Sequence, residues 1–298
     1  MKLLVTGANG QVGWELARSL MPLGEVVALD RAACDLARPE TLAPLVAALA
    51  PDVIVNAAAY TAVDRAEREE ALATTINAAA AGELARGARQ VGALLVHYST
   101  DYVFDGAKAA PYAEDDAVAP LNAYGRSKLA GERAIAASGC DHLILRTTWV
   151  YAARGNNFVR TMLRLGAERD VLRVVADQHG APTWARNIAD ATAQIVAKAR
   201  REQAAGHFAG GVFNLAARGE TSWHGFAEAI FEEARRLPCG ARLKVSEVAP
   251  IAAADYPTPA ARPANSRLAP AALQARFDIA LPHWRDALRR CLEDLPPG

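Results

Sequence analysis

Tyr124 and Lys128 stand four positions apart in Tyr124-Gly125-Arg126-Ser127-Lys128, a spacing that puts both side chains on one face of a helix. A free phenol titrates near ~10 and is a poor proton donor or acceptor at neutral pH. A neighbouring ammonium, together with an oxidised nicotinamide, would favour the phenolate and bring that value down. A second constellation, Thr6-Gly7-Ala8-Asn9-Gly10-Gln11-Val12-Gly13, follows an apolar run and opens a helical pattern. Glycine permits a tight turn and close approach of backbone to ligand. The helix N-terminus then offers free N–H groups and a positive dipole end to a pyrophosphate. The spacing is GxxGxxG rather than GxGxxG, and the strand before and helix after supply the context such a motif needs. A dinucleotide cradle beside an acid–base pair points to transfer of a hydride and a proton across a C–OH/C=O pair.

Other residues extend this reading. Asp30 ends the second apolar run, about 20 residues past the glycines, where an acid accepts hydrogen bonds from the adenosine ribose. Arg31 follows and could meet a 2′-phosphate, so NADH and NADPH both stay open. In Ser99-Thr100-Asp101 a hydroxyl can hold a substrate carbonyl oxygen beside the Tyr124 phenol. Thr61, just past Asn56-Ala57-Ala58-Ala59-Tyr60, is either a second such hydroxyl or a plain helix cap. Trp149 is placed either to stack on a sugar or to pack between domains. Trp14, Trp184, Trp223 and Trp284 read as packing. The six histidines show no paired ligand spacing, so no metal is assigned to them.

The elements that must position these groups alternate. Residues 2–6, 26–30, 53–56, 94–99 and 143–147 read as buried parallel strands rich in Val, Ile and Leu. Residues 11–20, 40–49, 68–91 and 124–137 read as helices between them. The alternation implies α/β architecture, a Rossmann-like, doubly wound parallel sheet. Ligands in such sheets bind beyond the carboxyl ends of the strands, where the glycine turn, Asp30, residues 56–61 and residues 99–101 all fall. After Trp149 the strands shorten to 171–175, 212–215 and 243–248, and helices are expected over 185–200, 221–236 and 283–292. We therefore expect a cofactor domain over 1–150, with segments near 185–216 returning to it. A smaller, irregular α+β substrate domain is expected over 151–298. Residues 255–263 are proline-rich and must be extended or turned.

Composition sets outer bounds. The net charge of +0 gives no basic field for nucleic acid or an anionic membrane. No apolar run approaches the ~20 residues of a membrane span. The first strand and glycine turn come too early for a signal peptide. Cys34, Cys140, Cys239 and Cys291 are scattered without CxxC spacing, as in a cytoplasmic protein with reduced thiols.

At these residues the chain resembles the extended short-chain dehydrogenase/reductase superfamily and, within it, the dTDP-4-dehydrorhamnose reductase family. The resemblance runs nearly the whole length. It is carried by Gly7–Gly13, Val53-Ile54-Val55-Asn56-Ala57-Ala58-Ala59, Thr100-Asp101-Tyr102-Val103-Phe104, the Tyr124–Lys128 segment, Arg146-Thr147-Thr148-Trp149 and Tyr256-Pro257-Thr258-Pro259. It implies NADPH- or NADH-dependent reduction of a nucleotide-sugar C4 ketone, the last step of dTDP-rhamnose synthesis. Tyr124 would act as proton donor, Thr100 as oxygen holder, and Lys128 as tuner of Tyr124 and ribose anchor. The cofactor site it implies comprises Gly7, Gly10, Gln11, Val12, Asp30, Asp35, Leu36, Ala59, Tyr60, Thr61, Tyr98, Tyr124 and Lys128. The sugar contacts are Val63, Thr100, Asp101 and Trp149, with Arg262 at the nucleotide end. Some members are magnesium-linked homodimers; Glu15 matches one of their acids, but Arg186 stands where another is expected and would repel the cation. Dehydratases of the superfamily carry Asp-Glu after the threonine, whereas Thr100-Asp101-Tyr102 lacks that Glu. Epimerases, other nucleotide-sugar reductases and a non-catalytic regulatory subunit share the fold; the intact Tyr124/Lys128 pair argues against the last.

Overall fold

The computed structural model describes residues 1–296. Its first half alternates β1 (Lys2–Thr6), α1 (Gln11–Ser19), β2 (Glu25–Leu29), α2 (Leu42–Leu49), β3 (Val53–Asn56), α3 (Val63–Ala66), α4 (Glu70–Thr74), α5 (Ala80–Val91), β4 (Leu94–Thr100), α6 (Ala123–Ser138) and β5 (His142–Thr147). The second half continues with β6 (Val150–Tyr151), α7 (Phe158–Glu168), β7 (Val171–Val175), β8 (His179–Gly180), β9 (Thr183–Trp184), α8 (Ala185–Ala204) and β10 (Gly211–Asn214). It ends with β11 (Thr221–Ser222), α9 (Trp223–Ala234), β12 (Glu247–Ile251), α10 (Ala271–Phe277) and α11 (Trp284–Glu293).

One six-stranded sheet has the order β10-β5-β4-β3-β1-β2, and every pair in it is parallel. Alternate residues of these strands face opposite helical layers. Leu3, Val5, Val55, Val96 and Leu145 pack with Leu16, Ile188 and Ile195 on one side. Leu4, Ile54, Leu95 and Ile144 pack with Leu42, Val46 and Leu84 on the other. Each such side chain, buried, contributes about 1.5–3 kcal/mol. The winding reverses between β1 and β3, so their carboxyl ends open the crevice that doubly wound sheets use for ligands. The second half has its own core around Tyr151, Val159, Trp184, Phe226, Phe231 and Leu288. Its strands pair only in twos, β12 with β7, β11 with β8 and β6 with β9.

Three sequence readings need correction. The helix expected over 68–91 is interrupted by a π-helical turn at Thr75–Ala79. Asn77 in that turn accepts from Tyr60 N at 2.8 Å and donates to Tyr60 O at 3.0 Å, tying the turn to the loop after β3. The strand expected over 243–248 starts later, at Glu247. Lys244 and Val245 instead donate their backbone N–H groups to Gly166 O at the end of α7, 2.8 and 2.9 Å away. Trp14, read as packing, is 51% exposed and is covered by the Arg154 guanidinium 3.4 Å from its ring centroid.

All four cysteines are free thiols. No described helix is long and apolar enough to cross a membrane.

Candidate active site

The glycine turn leaves β1 at Thr6. Gly7 has φ +73°, and a Cβ there would lie 2.9 Å from the backbone of Ala58 in the neighbouring loop, so only glycine fits. Gly10 caps α1 with no side-chain hydrogen bond, which leaves the first N–H groups of the helix open to an anion. Asn157 donates to Gln11 Oε1 at 2.9 Å, so the loop after β6 reaches back over the turn. This geometry fits a dinucleotide pyrophosphate. Val12 packs toward the core. Asp30, at the end of β2, accepts from Ala32 N and Ala33 N at 3.0 and 3.2 Å and from Asn9 Nδ2 at 3.2 Å. Asp35 accepts from Ala37 N at 3.1 Å, and Leu36 is a core side chain. Ala59 is half-buried and Thr61 is exposed.

Thr100 ends β4 and Tyr124 opens α6. Asn122 caps that helix by accepting from Gly125 N at 2.8 Å. Gly125 is required by close approach: a Cβ there would stand 2.2 Å from Tyr102 O. The helix start is thereby pressed onto the turn that carries Thr100 and Asp101. Burial pushes the Tyr124 phenol well up, and the Thr100 hydroxyl beside it offsets part of that rise. In the protein alone desolvation dominates, and the phenol stays protonated. Reduction of a ketone needs that form. Thr100 Oγ1 donates to Asp101 Oδ1 at 2.9 Å. Asp101 is itself pushed up to about 6 by burial, with Ser266, Thr100 and Thr148 pulling the other way.

Lys128 is 2% exposed, and burial pushes its ammonium down to about 8. Its Nζ donates to Tyr98 O at 2.6 Å and lies 3.0 Å from His97 Nε2. The Tyr98 hydroxyl pairs with Thr192 of α8 at 2.7 Å, so Tyr98 offers its carbonyl rather than its phenol. The helix carrying Lys128 is locked to the sheet by a buried bidentate pair, Arg146 with Glu132 at 2.9 and 2.7 Å.

A cleft of about 860 Å³ adjoins these groups. Tyr102 stands in its wall and packs edge-to-face on Tyr124, with ring centroids 5.5 Å apart. Val63, Asp64 and Arg262 line the same cleft. Arg262 Nη2 donates to Asp64 Oδ2 at 2.7 Å, while its buried Nη1 has no partner among the described residues. Trp149 does not line the cleft; it stacks on Trp223, which does, with centroids 3.6 Å apart. Trp223, Tyr102, Arg169 and Arg173 were missed in the sequence. The alternation of Val171–Val175, with Leu172 and Val174 buried, was the one signal that Arg173 faces outward.

Glu15 does not fit a magnesium site. Arg186 Nε sits 3.1 Å from its carboxylate and Arg186 Nη1 sits 2.6 Å from Asp294, so a guanidinium already neutralises both acids. Among the described residues no group of three or more His, Cys, Asp or Glu could hold a metal ion.

The parallel sheet, the glycine turn at its switch point and the Thr–Tyr–Lys set, with Thr100 and Lys128 buried and Tyr124 half-buried, define a nicotinamide-dependent oxidoreductase of the extended short-chain dehydrogenase/reductase type. Residues 1–296 match the family model described as the RmlD substrate binding domain. The dTDP-4-dehydrorhamnose reductase of Burkholderia thailandensis is 60% identical over 99% of both chains. That of Salmonella typhimurium is 47% identical over 99% of this chain and 98% of its own. The crystal structure of dTDP-4-dehydrorhamnose reductase from Bacillus anthracis in complex with NADP superposes with a TM-score of 0.87 at 35% identity, covering 97% of this chain and 98% of that one. The chain belongs to the dTDP-4-dehydrorhamnose reductase family.

Proposed function

We propose that the protein reduces the C4 ketone of dTDP-4-dehydro-L-rhamnose to dTDP-L-rhamnose with NADPH or NADH. The observation that carries this reading is the half-buried, protonated Tyr124 phenol beside Thr100, packed on Tyr102 in the wall of a cleft large enough for a nucleotide sugar. When bound, the reduced nicotinamide supplies the hydride. Tyr124 gives its proton to the oxygen that becomes the C4 hydroxyl, and Thr100 holds that oxygen in place. Lys128 keeps a positive charge under the site. Its two fixed contacts, to Tyr98 O and His97, leave one proton for a ribose hydroxyl. Arg262, which lines the cleft, takes the diphosphate end. Val63 and the Trp149/Trp223 stack bound the sugar, and Asp101 holds the Thr100 proton until the C4 oxygen takes that hydrogen bond. The reaction is assigned to the cytoplasm, which suits four free thiols.

The test follows NADPH and NADH absorbance with dTDP-4-dehydro-L-rhamnose made in situ. Consumption with formation of dTDP-L-rhamnose is expected. Tyr124→Phe should lower kcat roughly 10²–10⁴-fold while cofactor binding and thermal stability hold. Full turnover by that variant, or no consumption by the wild type, would overturn the reading. A homodimer, where it forms, is expected to be indifferent to EDTA, because Arg186 occupies Glu15. Sedimentation velocity with and without chelator checks this.

A further inference from the structure

Three polar side chains lie side by side across the apolar sheet. In the parallel register Thr6 faces Asn56 and Asn56 faces His97. Thr6 Oγ1 donates to Asn56 Oδ1 at 2.6 Å, and Asn56 Nδ2 is 2.9 Å from His97 Nδ1. His97 Nε2 is 3.0 Å from Lys128 Nζ. All four residues are buried. Such a row costs desolvation free energy unless every member is paired, and here the pairing ends on the amine beneath the reaction site.

We propose that His97 is a positioning residue: a neutral imidazole whose Nε2 accepts a proton of the Lys128 ammonium and fixes where that ammonium points. An ammonium has three protons and no lone pair, so Nε2 must accept and the imidazole proton must sit on Nδ1. The two ends of the Asn56 amide are isosteric, so its orientation follows the proton count. In the structure the amide nitrogen faces Nδ1, the arrangement that goes with a proton on Nε2; a charged Lys128 requires the amide to turn so that its oxygen faces Nδ1. Its nitrogen faces Nδ1 once Lys128 is neutral and His97 donates from Nε2. The row thus follows the protonation of Lys128. Burial keeps His97 itself from charging. The other titratable groups facing Lys128 are Tyr124 one turn earlier and Glu132 one turn later, and Glu132 is committed to Arg146 of β5.

The inference rests on the reductase reading, and its test does not require turnover. NADPH affinity is measured by fluorescence against pH for the wild type, His97→Leu and His97→Gln. Loss of an acceptor from a charged donor should move the alkaline limb about one to two pH units toward acid in His97→Leu. His97→Gln, which keeps an acceptor, should restore it. A wild-type limb in a folded His97→Leu overturns the proposal. Should that variant not fold, imidazole ¹⁵N shifts of the wild type decide. The Nδ1–H tautomer below the Lys128 titration supports the proposal; an Nε2–H or charged ring there overturns it. Failure of the wild type to reduce the keto-sugar would remove the reductase reading while both measurements still judged His97.

Discussion

The two halves of the protein bury charge differently. In the first, Lys128, Asp101, His97 and the Arg146–Glu132 pair lie inside a continuous six-stranded sheet and its helices. In the second, the arginines at the cleft, Arg169, Arg173 and Arg262, line open space between two-stranded ribbons and loops. The chemistry is mounted where the backbone is over-determined by neighbours on both sides. Recognition is mounted where segments can differ without disturbing the core. Asp101 and Lys128 accordingly depart far from their usual proton affinities, because burial dominates where the chemistry is mounted.

The sharpest way to break this contrast is to remove one buried charge and leave its partner. Glu132→Ala should strand Arg146 in the core and destabilise the protein by about 3–5 kcal/mol. Urea denaturation against wild type measures this; a loss as small as that of a surface pair would erase the distinction between the halves. A smaller effect is expected at Asp101, and it depends on pH. Its carboxyl sits near 6 in the fold against a usual 3.8, so the folded state holds the proton more tightly. Below both values the group contributes nothing. As pH rises through that window the folded state loses about 3 kcal/mol relative to the unfolded chain. Asp101→Asn should therefore stabilise the protein at pH 8 and not at pH 3, as read by chemical denaturation at both. Equal gain at both would show that charge burial is not the cause. The smallest change tests the recognition side. A Cβ at Gly180 would lie 2.5 Å from the Trp149 indole. Gly180→Ala should displace the Trp149/Trp223 stack and lower kcat/KM for the sugar about tenfold, roughly 1.4 kcal/mol. Cofactor affinity should hold; an equal loss of NADPH binding would mean the two halves are not separable.

The same contrast explains what could be read from the sequence. Gly7, Thr100, Tyr124 and Lys128 were legible because their chemistry resides in short motifs at strand ends, and strand–helix alternation fixes where strand ends go. Trp223 was read as packing because its exposure to the cleft depends on α9 meeting α7, a matter of contact between distant segments. Asn77 hid inside an apparently continuous helix, since a π-turn leaves no pattern in residue type. His97 hid in an apolar run, and only the register that sets it beside Asn56 reveals its partner. The later strand at 247–251 was misplaced because a helix end captured two backbone donors that a period-2 pattern assigns to a sheet.

Trp149 adopts φ +45° to lay its ring on Trp223 at 3.6 Å. Indoles this close share their electronic transitions, so the pair should imprint an exciton couplet on the ultraviolet circular dichroism of the protein. One of the two rings walls the cleft. A sugar that shifts it would change the sign or size of that couplet, giving the site a built-in optical gauge of its own occupancy that needs no dye and no turnover.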